Sequence, residues 1–214
     1  MSRVAVCLSL CLSIAGCGAA TPRPAVIAEG ALPVSAGARL YFESASVVGP
    51  REMTVSVLDA GSTFRFELGC GHIEPARALA SPTRGSVDPS TLANGRDVYA
   101  IDHCDRPVDH DGASLPAFLV SAHALAALDH HERTLLRVES HGAAVALMPL
   151  GHESISVRID GRATQVDTLH ARGDGMDLWI AETGTPIVVR EVDHDRGFTL
   201  AGIDTAGAPT PHAR

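Results

Sequence analysis

The dipeptide Asp160-Gly161 constrains this chain more than any other feature. A two-residue type I′ turn needs positive φ at both central positions, and Asp-Gly is one of the few pairs that supplies it cheaply. Before it, residues 155–159 alternate apolar and polar side chains, the period-two pattern of a strand with one buried face, and residues 164–171 follow as the next short strand. A hairpin is predicted here, and the surrounding chain repeats the theme. Residues 135–139, 143–148, 176–182, 187–192 and 198–203 are short apolar-rich segments separated by turn residues. Upstream, Met53, Val55 and Val57 alternate with polar residues, Asp59-Ala60-Gly61-Ser62 makes a turn cluster, and Phe64, Phe66 and Leu68 alternate beyond it. Short strands at this spacing predict a mainly β chain, an antiparallel meander curled into a barrel or half-barrel.

The remaining segments carry weaker patterns. Leu40, Phe42, Val47 and Val48 suggest a first strand, and residues 97–101 another. Residues 74–96 contain Pro75, Pro82 and Pro89 and read as a long surface loop with a helical turn near 76–80. Residues 102–116 read as a second loop. One short α-helix is predicted over 121–130, with Ser121 as its N-cap and Leu125 and Leu128 on one face. The single β-rich domain then spans 39–204, with a flexible tail over 205–214. Trp179, the sole tryptophan, lies in an apolar segment and is expected in the core.

The N-terminus has a different character. Arg3 is the only charge in residues 1–16, and residues 4–14 form an apolar run of about eleven residues, too short to span a bilayer. The run ends in Ile14-Ala15-Gly16-Cys17, which resembles the lipobox of bacterial lipoproteins: an aliphatic residue, two small ones and a cysteine. The resemblance implies that residues 1–16 are a signal peptide and that Cys17 becomes the acylated N-terminus, palmitate among its chains. It also implies that the protein is held in the bilayer of the cell envelope through Cys17. Gly18, rather than an aspartate, implies the outer membrane of a Gram-negative cell. An ordinary secretory signal with a chance cysteine is the alternative. Residues 17–38 would then be the lipidated cysteine and a tether containing Pro22, Pro24 and Pro33. The net charge of −8 disfavours both anionic lipid and nucleic acid, so the acyl chains would carry the attachment.

Chemistry-bearing residues are sparse in pattern. All 17 basic residues are arginine, which removes lysine-dependent chemistry such as Schiff bases and P-loops. Once residues 1–16 are removed and Cys17 acylated, Cys70 and Cys104 are the two thiols left. In an oxidising envelope such a pair is expected to form a disulfide. It would close a loop of about 34 residues, worth on the order of 3–4 kcal/mol in the chain-entropy model. The competing reading is metal: Cys70, His72, His103 and His110 offer the sulfur and nitrogen donors of a zinc or copper site. Cys104 cannot be ligand and disulfide partner at once. The chain carries 11 histidines, and Asp129-His130-His131-Glu132 reads as the polar end of the helix. No Gly-x-Ser-x-Gly elbow occurs, and Glu182-Thr183-Gly184 resembles the Asp-Thr-Gly loop of aspartic proteases only faintly, reading instead as a turn. These features predict no catalytic residue and no cofactor. The expected function is a membrane-anchored envelope lipoprotein acting as a non-catalytic binding or structural module, its partner an apolar or peptide ligand. The alternative is a metal-binding envelope protein that uses the Cys/His loops.

Overall fold

The computed structural model describes residues 32–45, 51–71, 83–99, 112–182, 184–194 and 196–205. In chain order its strands are β1 (Arg39–Ala45), β2 (Arg51–Ala60), β3 (Phe64–Gly71), β4 (Thr83–Val87), β5 (Asp97–Tyr99) and β6 (Leu115–Pro116). They continue with β7 (Thr134–Val138), β8 (Ala143–Ile159), β9 (Arg162–Gly173), β10 (Met176–Ala181), β11 (Ile187–Asp193) and β12 (Arg196–Asp204). Two helices interrupt them, α1 (Pro89–Asn94) and α2 (Ala122–Asp129). No helix among the described residues is long and apolar enough to cross a membrane.

The chain is mainly β, as its periodicity predicts. One sheet of 12 strands runs in the order β4-β3-β2-β1-β12-β11-β10-β9-β8-β7-β5-β6. From β8 to β12 each strand pairs antiparallel with the next. The end of β12 then returns to β8 in parallel, through Gly202 opposite Arg158 and Ile203 opposite Ile159. This closes a partial ring, the geometry of a half-barrel. Asp160 and Gly161 have φ of 49° and 77° and join β8 to β9 as the turn chemistry requires. Asp160 also fastens the closure. Its N–H donates to the Ile203 carbonyl at 2.9 Å, and its carboxylate accepts from the Thr205 N–H and hydroxyl, both at 2.8 Å. These bonds hold the Asp160 carboxyl below the usual aspartate range, the backbone N–H contributing most.

The structure departs from the sequence-based expectations in four places. The segment read as a loop over 74–96 contains β4 and α1, so the described residues hold two α-helices rather than one; residues 72–82, with the turn expected near 76–80, lie outside the described residues. β4 forms because β3 is there to pair with it. Gly85 lies directly under the Phe66 ring, where any Cβ would collide, and Arg84 reaches Glu67 at 2.7 Å across the strands. α1 begins on a cap: Asp88 accepts from the Thr91 N–H at 2.8 Å, and Pro89 fills the first turn, where no donor is needed. The second difference is β8, a single strand of 17 residues where two were expected, because a bulge at Pro149–Gly151 absorbs the proline without ending the strand. Third, Leu115 and Pro116, read as the end of the loop over 102–116, form β6 beside β5; Val47 and Val48 lie outside the described residues. Fourth, the meander is not wholly antiparallel: β5 pairs in parallel with β6 and β7, and β12 with β8.

The core lies inside this curled sheet. Phe118 is its central ring, with centroids 5.3 Å from Phe66, 5.9 Å from Phe42 and 6.3 Å from Phe64, and Phe42 meets Phe198 edge-on at 5.4 Å. All five phenylalanines of the chain thus join one cluster. Each buried ring contributes roughly 1.5–3 kcal/mol of transfer free energy. α2 packs against β7, β8 and β9: Ser121 caps it, accepting from the Ala124 N–H at 3.3 Å, while Ala124 and Leu128 turn inward.

Candidate functional site

Period-two alternation across four strands builds the most developed polar cluster. His170 in β9 lies opposite Trp179 in β10, and Trp179 lies opposite Arg190 in β11. Glu153 in β8 and Asp177 in β10 stand one step along on the same face, within diagonal reach of His170. The rings of His170 and Trp179 stack at 4.2 Å and 12°, and the Arg190 guanidinium lies 4.7 Å from the Trp179 centroid. The indole is therefore held between an imidazole and a guanidinium, a cation–π arrangement.

Hydrogen bonds then tie the cluster together. His170 Nδ1 is 2.9 Å from Glu153 Oε1, and His170 Nε2 is 2.7 Å from Asp177 Oδ1. An ionised carboxylate only accepts, so in each of these contacts the donor is the ring nitrogen that carries the proton. Trp179 donates Nε1–H to the second Glu153 oxygen at 2.8 Å, and Arg172 donates to Asp177 at 2.7 Å. The Trp179 bond, followed by that from His170, holds Glu153 below the usual glutamate range. Burial pushes Asp177 up, but the hydrogen bonds from Arg172 and His170 outweigh it and leave Asp177 below the usual aspartate range. The His170 side chain is only 7% exposed. Each ring nitrogen thus has a carboxylate oxygen against it. The arrangement ties β8, β9 and β10 together.

A second cluster lies on the other face of the same strands. His152 precedes Glu153 and therefore points the opposite way. It approaches Asp129, the last residue of α2, with Nε2 3.7 Å from Oδ1. Glu182, one residue beyond β10, completes a group whose three ligand atoms lie within 4.8 Å of one another, with all three residues exposed. Elsewhere, His141 Nε2 sits 3.1 Å from Asp193 Oδ2 in a largely buried pair, whose other carboxylate oxygen has no hydrogen-bond partner among the described residues.

The residues singled out from sequence are distributed differently. Cys70 has its backbone in β3, opposite Met53. Its side chain, together with Cys17, His72, His103, Cys104 and His110, lies outside the described residues. Neither the disulfide nor the Cys/His metal set is therefore described by this structure. Trp179 is buried as expected, but in the polar stack and not in the apolar core cluster. Sequence reasoning missed His170, Glu153, Asp177 and His152, and read Asp129 and Glu182 as polar ends and turns. The one available signal was the polar residues alternating within β8 and β9, which reads equally well as a solvated face. Comparison with protein-family models, with curated proteins and with solved structures finds no match to this chain in any of the three.

Proposed function

We propose that this protein is a lipid-anchored module of the bacterial cell envelope, attached at the outer membrane through acylated Cys17, and that it acts as a non-catalytic binding or structural unit. The observation that carries the reading is the run Ile14-Ala15-Gly16-Cys17 at the end of a short apolar segment, followed by a proline-bearing stretch that leads into the sheet. The chemistry of the His170 cluster supports the non-catalytic half, since its donors and acceptors are committed to one another. Leu135, Met148 and Leu150 are exposed along β7 and β8 and offer an apolar surface to a peptide or apolar partner.

The test is metabolic labelling with a clickable palmitate analogue in a Gram-negative host, followed by membrane fractionation. The wild-type chain should carry label and sediment with outer membranes. Cys17→Ala should lose the label and accumulate with its signal peptide uncleaved. A wild-type chain that is processed, unlabelled and recovered in the soluble periplasm would overturn the anchoring. An intact mass about 2 Da below the reduced chain would establish the Cys70–Cys104 disulfide. A stoichiometric metal adduct with both thiols retained, and lost on substituting His72 or His103, would instead favour the Cys/His metal reading.

A further inference from the structure

The exposed trio at the end of α2 has the composition of a metal site and lacks the partners of a salt-bridge network. Asp129, His152 and Glu182 arrive from three elements, and each is set by a buried neighbour. Leu128 is fully buried one residue before Asp129. Ala181 is buried one residue before Glu182 and paired on both sides, to Thr168 and Ile187. His152 lies opposite buried Leu169, directly after Gly151, whose φ of +127° forms the bulge in β8. Bulges of this kind re-aim the next side chain. Here the bulge turns the His152 imidazole toward the end of α2.

The distances suit a shared ion. Ligand atoms about 2.1 Å from a tetrahedral ion stand about 3.4 Å apart. The 3.7 Å between His152 Nε2 and Asp129 Oδ1 lies close to that spacing and is too long for a hydrogen bond. The remaining separations, at most 4.8 Å, close by up to about 1.4 Å through rotation of exposed side chains. Charge points the same way. Glu67, Asp97 and Asp177 each hold an arginine. Among the described residues, Asp129 pairs only with His152, and Glu182 makes no hydrogen bond or ion pair. Two carboxylates thus share a small space with one imidazole and no permanent cation.

We propose that Asp129, His152 and Glu182 form a three-ligand site for a divalent first-row transition ion, with water completing the shell. One nitrogen and two oxygen donors suit zinc and its neighbours better than soft copper(I) or an all-oxygen calcium cage. The site is independent of the lipid anchor and of the Cys/His loops.

Calorimetric titration of zinc chloride into the chelator-stripped full chain in detergent tests it. One equivalent should bind the wild type. Affinity should fall in His152→Ala and in Asp129→Asn/Glu182→Gln by at least the roughly 10–100-fold that even outer-shell changes cost. It should survive in Cys70→Ser/Cys104→Ser. Zinc should also raise the melting temperature of the wild type and leave that of Glu182→Gln unchanged. This conservative exposed change supplies the readout if His152→Ala perturbs folding. The proposal is overturned by the absence of saturable binding, by wild-type affinity in His152→Ala or Glu182→Gln, or by loss of all binding in the cysteine variant.

Discussion

His152 and Glu153 are adjacent in the chain, yet they belong to opposite kinds of site. Glu153 faces the His170 cluster, where two carboxylates surround one imidazole and an indole, and arginines complete the balance. His152 faces a cluster of similar composition, two carboxylates and an imidazole, with no arginine among the described residues. Composition alone does not distinguish the two. The difference is the supply of donors. A carboxylate matched by arginine, imidazole and indole N–H groups becomes part of the scaffold, whereas one left facing another carboxylate remains available to a cation.

The comparison breaks most visibly at His170. Replacing it with alanine leaves Glu153 and Asp177 facing each other without the ring between them, and strips one face of Trp179. The expected cost is about 2–4 kcal/mol, against less than about 0.5 kcal/mol for His152→Ala on the exposed face. Urea denaturation followed by the fluorescence of Trp179, the only tryptophan, measures both. Equal losses in the two variants would show that the His170 cluster is not a brace.

Gly151 joins the two sites. Nothing lies within 4 Å of where its Cβ would be, so space permits alanine there, but φ of +127° does not suit an L-residue. Gly151→Ala should cost on the order of 1–3 kcal/mol through backbone strain alone. If the bulge relaxes, the same change should weaken zinc binding, because His152 would swing away from Asp129. A variant as stable as wild type, binding zinc equally well, would show that the bulge aims nothing.

A smaller, pH-dependent effect separates the clusters by titration. Asp177 is held below its usual value in the folded state, so across the acid range the unfolded chain binds more protons there. Its contribution to stability is complete above the ordinary aspartate value and is lost as pH falls through the folded value. Urea midpoints should therefore decline on acidification, and the slope should flatten in Asp177→Asn. An unchanged slope would remove Asp177 from the brace. The smallest effect is expected at Asp129→Asn. Removing one of two neighbouring exposed carboxylates should leave the metal-free melting temperature unchanged or slightly raised, within about 0.5 kcal/mol. A clear drop would mean that Asp129 holds α2 in place.

Much of the fold could be read from local residues. The Asp160-Gly161 turn, the helix capped by Ser121 and the strands within 162–204 depend on φ preference, capping and two-residue alternation, all of which act between near neighbours. The signal for α1 was also present, in Asp88-Pro89, but the surrounding prolines and serines resembled a loop. β4 carried no strand pattern of its own, because its stability comes from β3 and from the Phe66 ring over Gly85. The polar sites were harder to read. Glu153, His170 and Asp177 meet only because the β8–β9–β10 register places them on one face, and a shift by one residue would separate them. Asp129, His152 and Glu182 share no sequence spacing at all.

The sequence by itself determined that the chain forms short strands with one buried face, where it turns, and that no lysine chemistry is open to it. These are properties of single residues and adjacent pairs. Only the tertiary structure decided that β12 returns to β8, that Trp179 stacks on histidine and arginine instead of joining the phenylalanines, and which carboxylates find a cation. Those outcomes depend on register and on the end of a packed helix, which bring together residues as far as 53 positions apart. Side-chain chemistry sets what each group needs, and long-range pairing settles whether that need is met.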